Sequence, residues 1–106
     1  MIFVNTLEES KNHILNNIKK NISLFNIFEN VYLFGSILCK DKVSKDIDIL
    51  LIYSKYSQDL IKNVNYASSI LNDICNLPID FTVLSVDEEK DIQFLQKLNF
   101  NYLKLK

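Results

Sequence analysis

Asp46 and Asp48 stand one residue apart at the head of an apolar run, Ile49-Leu50-Leu51-Ile52. Another apolar run, Val31-Tyr32-Leu33-Phe34, ends in Gly35-Ser36, and nine residues separate Ser36 from Asp46. Both runs read as buried strands. In a strand, residues i and i+2 share a face, so the two carboxylates would lie side by side, roughly 6–7 Å apart along it. Two unpaired charges that close repel, and one carboxyl is driven to take a proton. A hard divalent cation relieves the repulsion, and Mg²⁺ takes carboxylate oxygens readily. Gly35-Ser36 adds a tight turn, an amide within reach of a phosphate, and a hydroxyl. Metal carboxylates beside a phosphate cradle are the ingredients of nucleotide chemistry. An isolated Asp-x-Asp would more simply be a solvated strand end. Asp is depleted in strands, however, and here both open a strongly apolar one at a fixed distance from Gly-Ser.

The elements that must position these groups follow from the hydrophobic pattern. Leu7, Ile14, Leu15, Ile18, Ile22 and Phe25 form a helical stripe over about 7–25, and Thr6 with Glu9 resembles a capping box at its start. Residues 30–35 form a first strand, 36–44 a loop with room for one helical turn, and 46–53 a second strand. Ser57 or Asp59 caps a long helix reaching Cys75, with Leu60, Ile61, Val64, Ala67, Ile70, Leu71 and Ile74 on its inner side. Asn76-Leu77-Pro78 ends it. Ile79 to Ser85 alternates into a third strand carrying Asp80 near its start, and a short helix begins near Asp87. The tail from Phe100 to Lys106 fits either an edge strand or a helix. The order predicts an α/β (α+β) domain: a small mixed sheet of three to four strands with helices packed on it. The link from the second strand through the long helix to the third is a crossover.

The 106 residues fit a single domain, 1–106, and an apolar fraction of 48 % suffices for a core. The net charge of −1 argues against a basic nucleic-acid footprint, and no direct DNA binding is expected. All basic residues are lysines; arginine is absent. Cys39 and Cys75 lie far apart without metal-ligand spacing, which suggests inert thiols in a reducing cytoplasm. No apolar run reaches the roughly 18–20 residues that span a bilayer, so no membrane association is expected. Met1-Ile2-Phe3-Val4 lacks the basic start and long apolar core of a signal peptide.

Gly35-Ser36, nine residues, Asp46-x-Asp48 and a later strand aspartate, Asp80, resemble the DNA polymerase beta type nucleotidyltransferase superfamily. The short length resembles its minimal nucleotidyltransferase (MNT) branch. The resemblance covers about residues 30–85. It implies that Asp46, Asp48 and Asp80 hold one or two Mg²⁺ ions, that Asp80 stands near the nucleophile or serves as its base, and that Gly35 and Ser36 contact the β/γ-phosphates of a nucleoside triphosphate. A hydroxyl would attack the α-phosphorus and release pyrophosphate. The branch further implies a co-encoded HEPN-type toxin as partner, restrained either by transfer of AMP from ATP or by binding alone.

The sequence departs from the family pattern in two places. Ile37-Leu38-Cys39-Lys40 replaces a stretch that often carries an Arg, and Lys45 stands before the first Asp where Ser is frequent. Lys40, Lys42 and Lys45 are most simply solvated loop charges. Lys45 is the one expected beside the nucleotide, meeting phosphate as a point charge without the bidentate fork of an arginine.

Overall fold

The computed structural model describes residues 6–106. The start Met1 to Val4 and the Thr6 side chain, on which the expected capping box depends, lie outside what is described. Helix α1 spans Thr6–Lys20 and buries Ile14 and Ile18. It stops five residues short of the expected end at 25. The Asn21 amide side chain bonds back to the Asn17 carbonyl at 2.7 Å, and a 3₁₀ turn follows over Ile22–Phe25. Asn, β-branched Ile and Ser are weak helix formers, and the tighter turn swings Phe25 and Phe28 into the core. These two rings meet edge to face at 6.4 Å, and Phe25 meets Phe81 at 5.9 Å.

Strand β1 (Asn30–Phe34) runs into a 3₁₀ turn at Gly35–Leu38, and β2 spans Ile47–Tyr53. Asp46, expected as the first residue of that strand, sits in the bend just before it. Helix α2 (Gln58–Cys75) leads to β3 (Ile79–Ser85), then α3 (Val86–Ile92), α4 (Phe94–Lys97) and β4 (Tyr102–Lys104). The strands form one sheet in the order β3-β2-β1-β4. β2 and β3 are parallel through the α2 crossover, and β1 is antiparallel to both β2 and β4. This is the small mixed α+β sheet that the pattern predicts. The tail takes the strand alternative because β1 would otherwise present a free edge: Leu105 N donates to Val31 O at 2.8 Å.

Helices cover both faces of the sheet, which explains why its central strands read as continuous apolar runs. On one face, Ile47, Ile49 and Leu51 pack with Val31 and Leu33 against α1 and α2. On the other, Leu50 and Ile52 join Tyr32 and Leu84 under Phe94 and Leu95. α2 turns Leu60, Ala67, Leu71 and Cys75 inward. Ile61 and Ile74, expected on the inner side, are 58 % and 40 % exposed. The buried face holds the i, i+7, i+11, i+15 row from Leu60, and Ile61 and Ile74 fall at its flanks. Ser57 occupies the N-cap of α2 without a side-chain cap hydrogen bond. α3 begins one residue earlier than expected, with a full capping box in which Glu88 N donates to Ser85 Oγ at 3.0 Å and Ser85 N to Glu88 Oε1 at 2.9 Å.

Candidate active site

Alternation along β2 puts Asp48 on the Leu50–Ile52 face, opposite the α1–α2 core. The parallel register sets Asp80 of β3 directly beside Asp48. The turn after α2 contributes too. Asn76 closes that helix in the left-handed region at φ 57°, and the Pro78 carbonyl accepts from Ile47 N at 2.9 Å. That bond fixes the start of β2 against the start of β3, between the two aspartates of Asp46-Ile47-Asp48. Although Asp46 precedes the strand, its carboxylate still joins the others. One oxygen from each of Asp46, Asp48 and Asp80 lies within 4.8 Å of the other two.

Such crowding has electrostatic consequences. Burial pushes the Asp48 carboxyl above the ordinary carboxylate value, and the charges of Asp46 and Asp80 push it further. Asp80 is also raised, first by its hydrogen bond with Asp46, then by burial and by the Asp46 charge. Asp46 and Asp48 are half-buried and Asp80 is exposed at the rim. The donor set is three hard oxygens around one point, open on one side, which suits a divalent cation with room left for an exogenous ligand.

Gly35 backs onto this cluster. It has φ +85°, a conformation that disfavours any residue with a side chain. A Cβ there would overlap Asp48 Oδ2 and lie 3.1 Å from Asp48 Cγ. Glycine therefore lets the turn pass directly over the carboxylate. The Ser36 hydroxyl hydrogen-bonds the Ser44 hydroxyl at 3.3 Å across the loop. Gly35, Ser36 and Lys42 line a cleft of about 710 Å³ together with Lys97, Phe100 and Tyr102. Lys45 is exposed in the bend leading into Asp46. Lys40 lines a smaller hollow on the α1 side of the loop, so of these lysines it is Lys42 that faces the Gly35-Ser36 cleft.

Two residues near the loop escaped the sequence reading. Ser44 gives no signal of its own, because it precedes Asp46 by two residues with Lys45 between them. Lys11 lies on the buried face of α1 at 8 % exposure. Its signal was available: it stands three and seven residues before Ile14 and Ile18, a cation inside an apolar stripe. Cys75 is buried in the core, which raises its thiol, and Cys39 is exposed in the loop.

A mixed sheet that brings three carboxylates together beside a Gly-Ser turn is the arrangement with which comparisons with known proteins agree. The family described as "Polymerase beta, Nucleotidyltransferase" matches residues 12–98, and the chain belongs to that family. No curated protein matches the sequence. A crystallised protein of Sulfolobus solfataricus assigned to the nucleotidyltransferases is 26 % identical, over 91 % of this chain and 82 % of that one, with a TM-score of 0.55. A chain from the complex of tri-AMPylated Shewanella oneidensis HEPN toxin with MNT antitoxin is 18 % identical, over 88 % of this chain and 71 % of that one, with a TM-score of 0.54. The latter likeness is one of fold.

Proposed function

We propose that the chain is an MNT-type nucleotidyltransferase that moves a nucleotidyl group, AMP from ATP, onto a hydroxyl of a partner protein, and that the partner is a HEPN-type toxin which it neutralises in the cytoplasm. The observation carrying this reading is the convergence of Asp46, Asp48 and Asp80 within 4.8 Å beside Gly35-Ser36. The partner is suggested by the fold shared with the Shewanella toxin–antitoxin complex.

The three carboxylates fit Mg²⁺ and would hold it. When bound, such ions neutralise charge on the phosphates and on the departing pyrophosphate. The remaining work falls to the chain. Gly35 and Ser36 grip the β/γ-phosphates, and Lys42 and Lys45 add point charges. That grip sets the α-phosphorus against the carboxylate cluster. Asp80 stands on an outer strand, exposed, where a hydroxyl from another protein can reach it. A carboxylate placed there can take the proton of that hydroxyl. The hydroxyl oxygen bonds to phosphorus, the bond to the β-phosphate oxygen breaks, pyrophosphate leaves, and the hydroxyl proton passes to Asp80.

Incubation with labelled ATP, Mg²⁺ and the co-encoded protein tests this. Label should pass to the partner, and Asp46→Asn with Asp48→Asn should abolish transfer while the variant stays folded, since like-charge repulsion is removed. No nucleotide binding and no transfer would sink it. The absence of arginine and the exposure of Lys45 favour a second reading, neutralisation by binding alone. In that case the double variant protects against the toxin as well as wild type does.

A further inference from the structure

A lysine ammonium is rarely taken out of water, and when it is, its three donors need acceptors. Lys11 satisfies this in one place. Its Nζ donates to the Ser36 carbonyl at 3.0 Å and to the carbonyls of Cys39 and Lys42. All three acceptors belong to the loop that joins β1 to β2. A helix that precedes the site by some twenty-five residues thus holds that loop through a single buried nitrogen.

The peptide unit gives this clamp a direction. In a planar trans peptide the C=O of one residue and the N–H of the next point opposite ways. Drawing the carbonyls of Ser36, Cys39 and Lys42 toward Lys11 therefore turns the amides of Ile37, Lys40 and Val43 away from it. Lys11 lines hollows on the α1 side together with Ile37, Lys40 and Val43. The cleft holding Gly35 and Ser36 opens elsewhere on the loop and is not lined by Lys11. A loop that receives phosphate must offer N–H groups and withhold carbonyl oxygens. Lys11 withholds the carbonyls, and it leaves a fixed positive charge behind them in a chain without arginine. A surface lysine would give up side-chain freedom to act on a phosphate; Lys11 is already tied to three carbonyls.

Given the nucleotide-site reading above, we propose that Lys11 is a positioning residue for the triphosphate: by holding the Ser36, Cys39 and Lys42 carbonyls it fixes the shape of the Gly-Ser loop without touching the substrate. The test is the variant Lys11→Met, which keeps the straight apolar stem and removes charge and donors. The probe is the α,β-methylene analogue of whichever common ribonucleoside triphosphate the wild type binds best, titrated with Mg²⁺ by calorimetry. Lys11→Met should weaken binding by on the order of tenfold or more and raise KM more than it lowers kcat. Mn²⁺ binding to the aspartates, followed by paramagnetic resonance, should be unchanged. Equal affinity for the analogue in variant and wild type overturns the clamp and leaves the nucleotide reading standing. If wild type binds Mn²⁺ but none of the analogues, both fall. Because the variant could fail to fold, ¹⁵N relaxation of the nucleotide-free wild type provides a second arm. Order parameters over residues 36–43 near the rigid value of about 0.85 are expected, and values below about 0.6 would refute a pre-formed loop.

Discussion

At the residue scale, three carboxyl groups sharing one small volume make the site sensitive to protons. Asp48 holds its proton more tightly in the folded state than its ordinary value of 3.8 implies. A carboxyl with a raised folded pKa contributes stability that is full below the unfolded value and is lost as pH rises through the folded one. Wild type should therefore lose this contribution between pH 3.8 and neutrality. Asp48→Asn carries no charge and keeps it. In EDTA, melting temperatures of the two proteins should draw together under acid conditions, and the variant should melt a few degrees higher near pH 7. A variant that melts lower at neutral pH would show that Asp48 is stabilised by contacts other than those that crowd it. Much of this was legible beforehand. The strand period of two placed Asp48 and Asp80, whereas Asp46, expected on the same strand face, joins them from the bend before β2. Lys11 was harder, because its meaning depends on carbonyls more than twenty residues away.

At the element scale, each secondary structure delivers one part of the site. β2 and β3 align Asp48 with Asp80, and the Pro78 carbonyl ties their starts together. α3 covers the same sheet face on which the carboxylates stand, with Val86 against Leu84 and its neighbours. It has only seven residues, so its termini weigh heavily. Ser85→Ala removes the capping box and should cost about 0.5–2 kcal/mol in urea unfolding. A loss under a few tenths would mean that packing of Val86 holds the segment without the cap. Element types were readable from apolar spacing; boundaries were less so. α1 ends early because Asn21 bonds its own helix and Phe25 is wanted in the core. Ile61 and Ile74 face solvent because α2 has more apolar positions than the sheet can cover.

At the scale of the whole molecule, folding is what brings the three carboxylates together, so the metal site proposed above links metal to stability. A ligand bound only by the folded state adds about 2.7 kcal/mol at a hundred times its dissociation constant. Saturating Mg²⁺ should raise the unfolding free energy of wild type by about that amount, measured by urea titration, and Asp46→Asn with Asp48→Asn should erase the gain. A wild type indifferent to Mg²⁺, Mn²⁺ and Ca²⁺ alike would contradict a metal site. The sequence by itself determined which residues could do chemistry and which sheet strands would carry them, because side-chain alternation and apolar runs are local properties of the chain. Only the tertiary structure decided the parallel register of Asp48 with Asp80, the return of the tail onto β1, the passage of Gly35 over Asp48, and the burial of the Lys11 ammonium beneath the loop. Each of these is a contact between segments distant in sequence, set by how the elements pack and not by any residue's own preference.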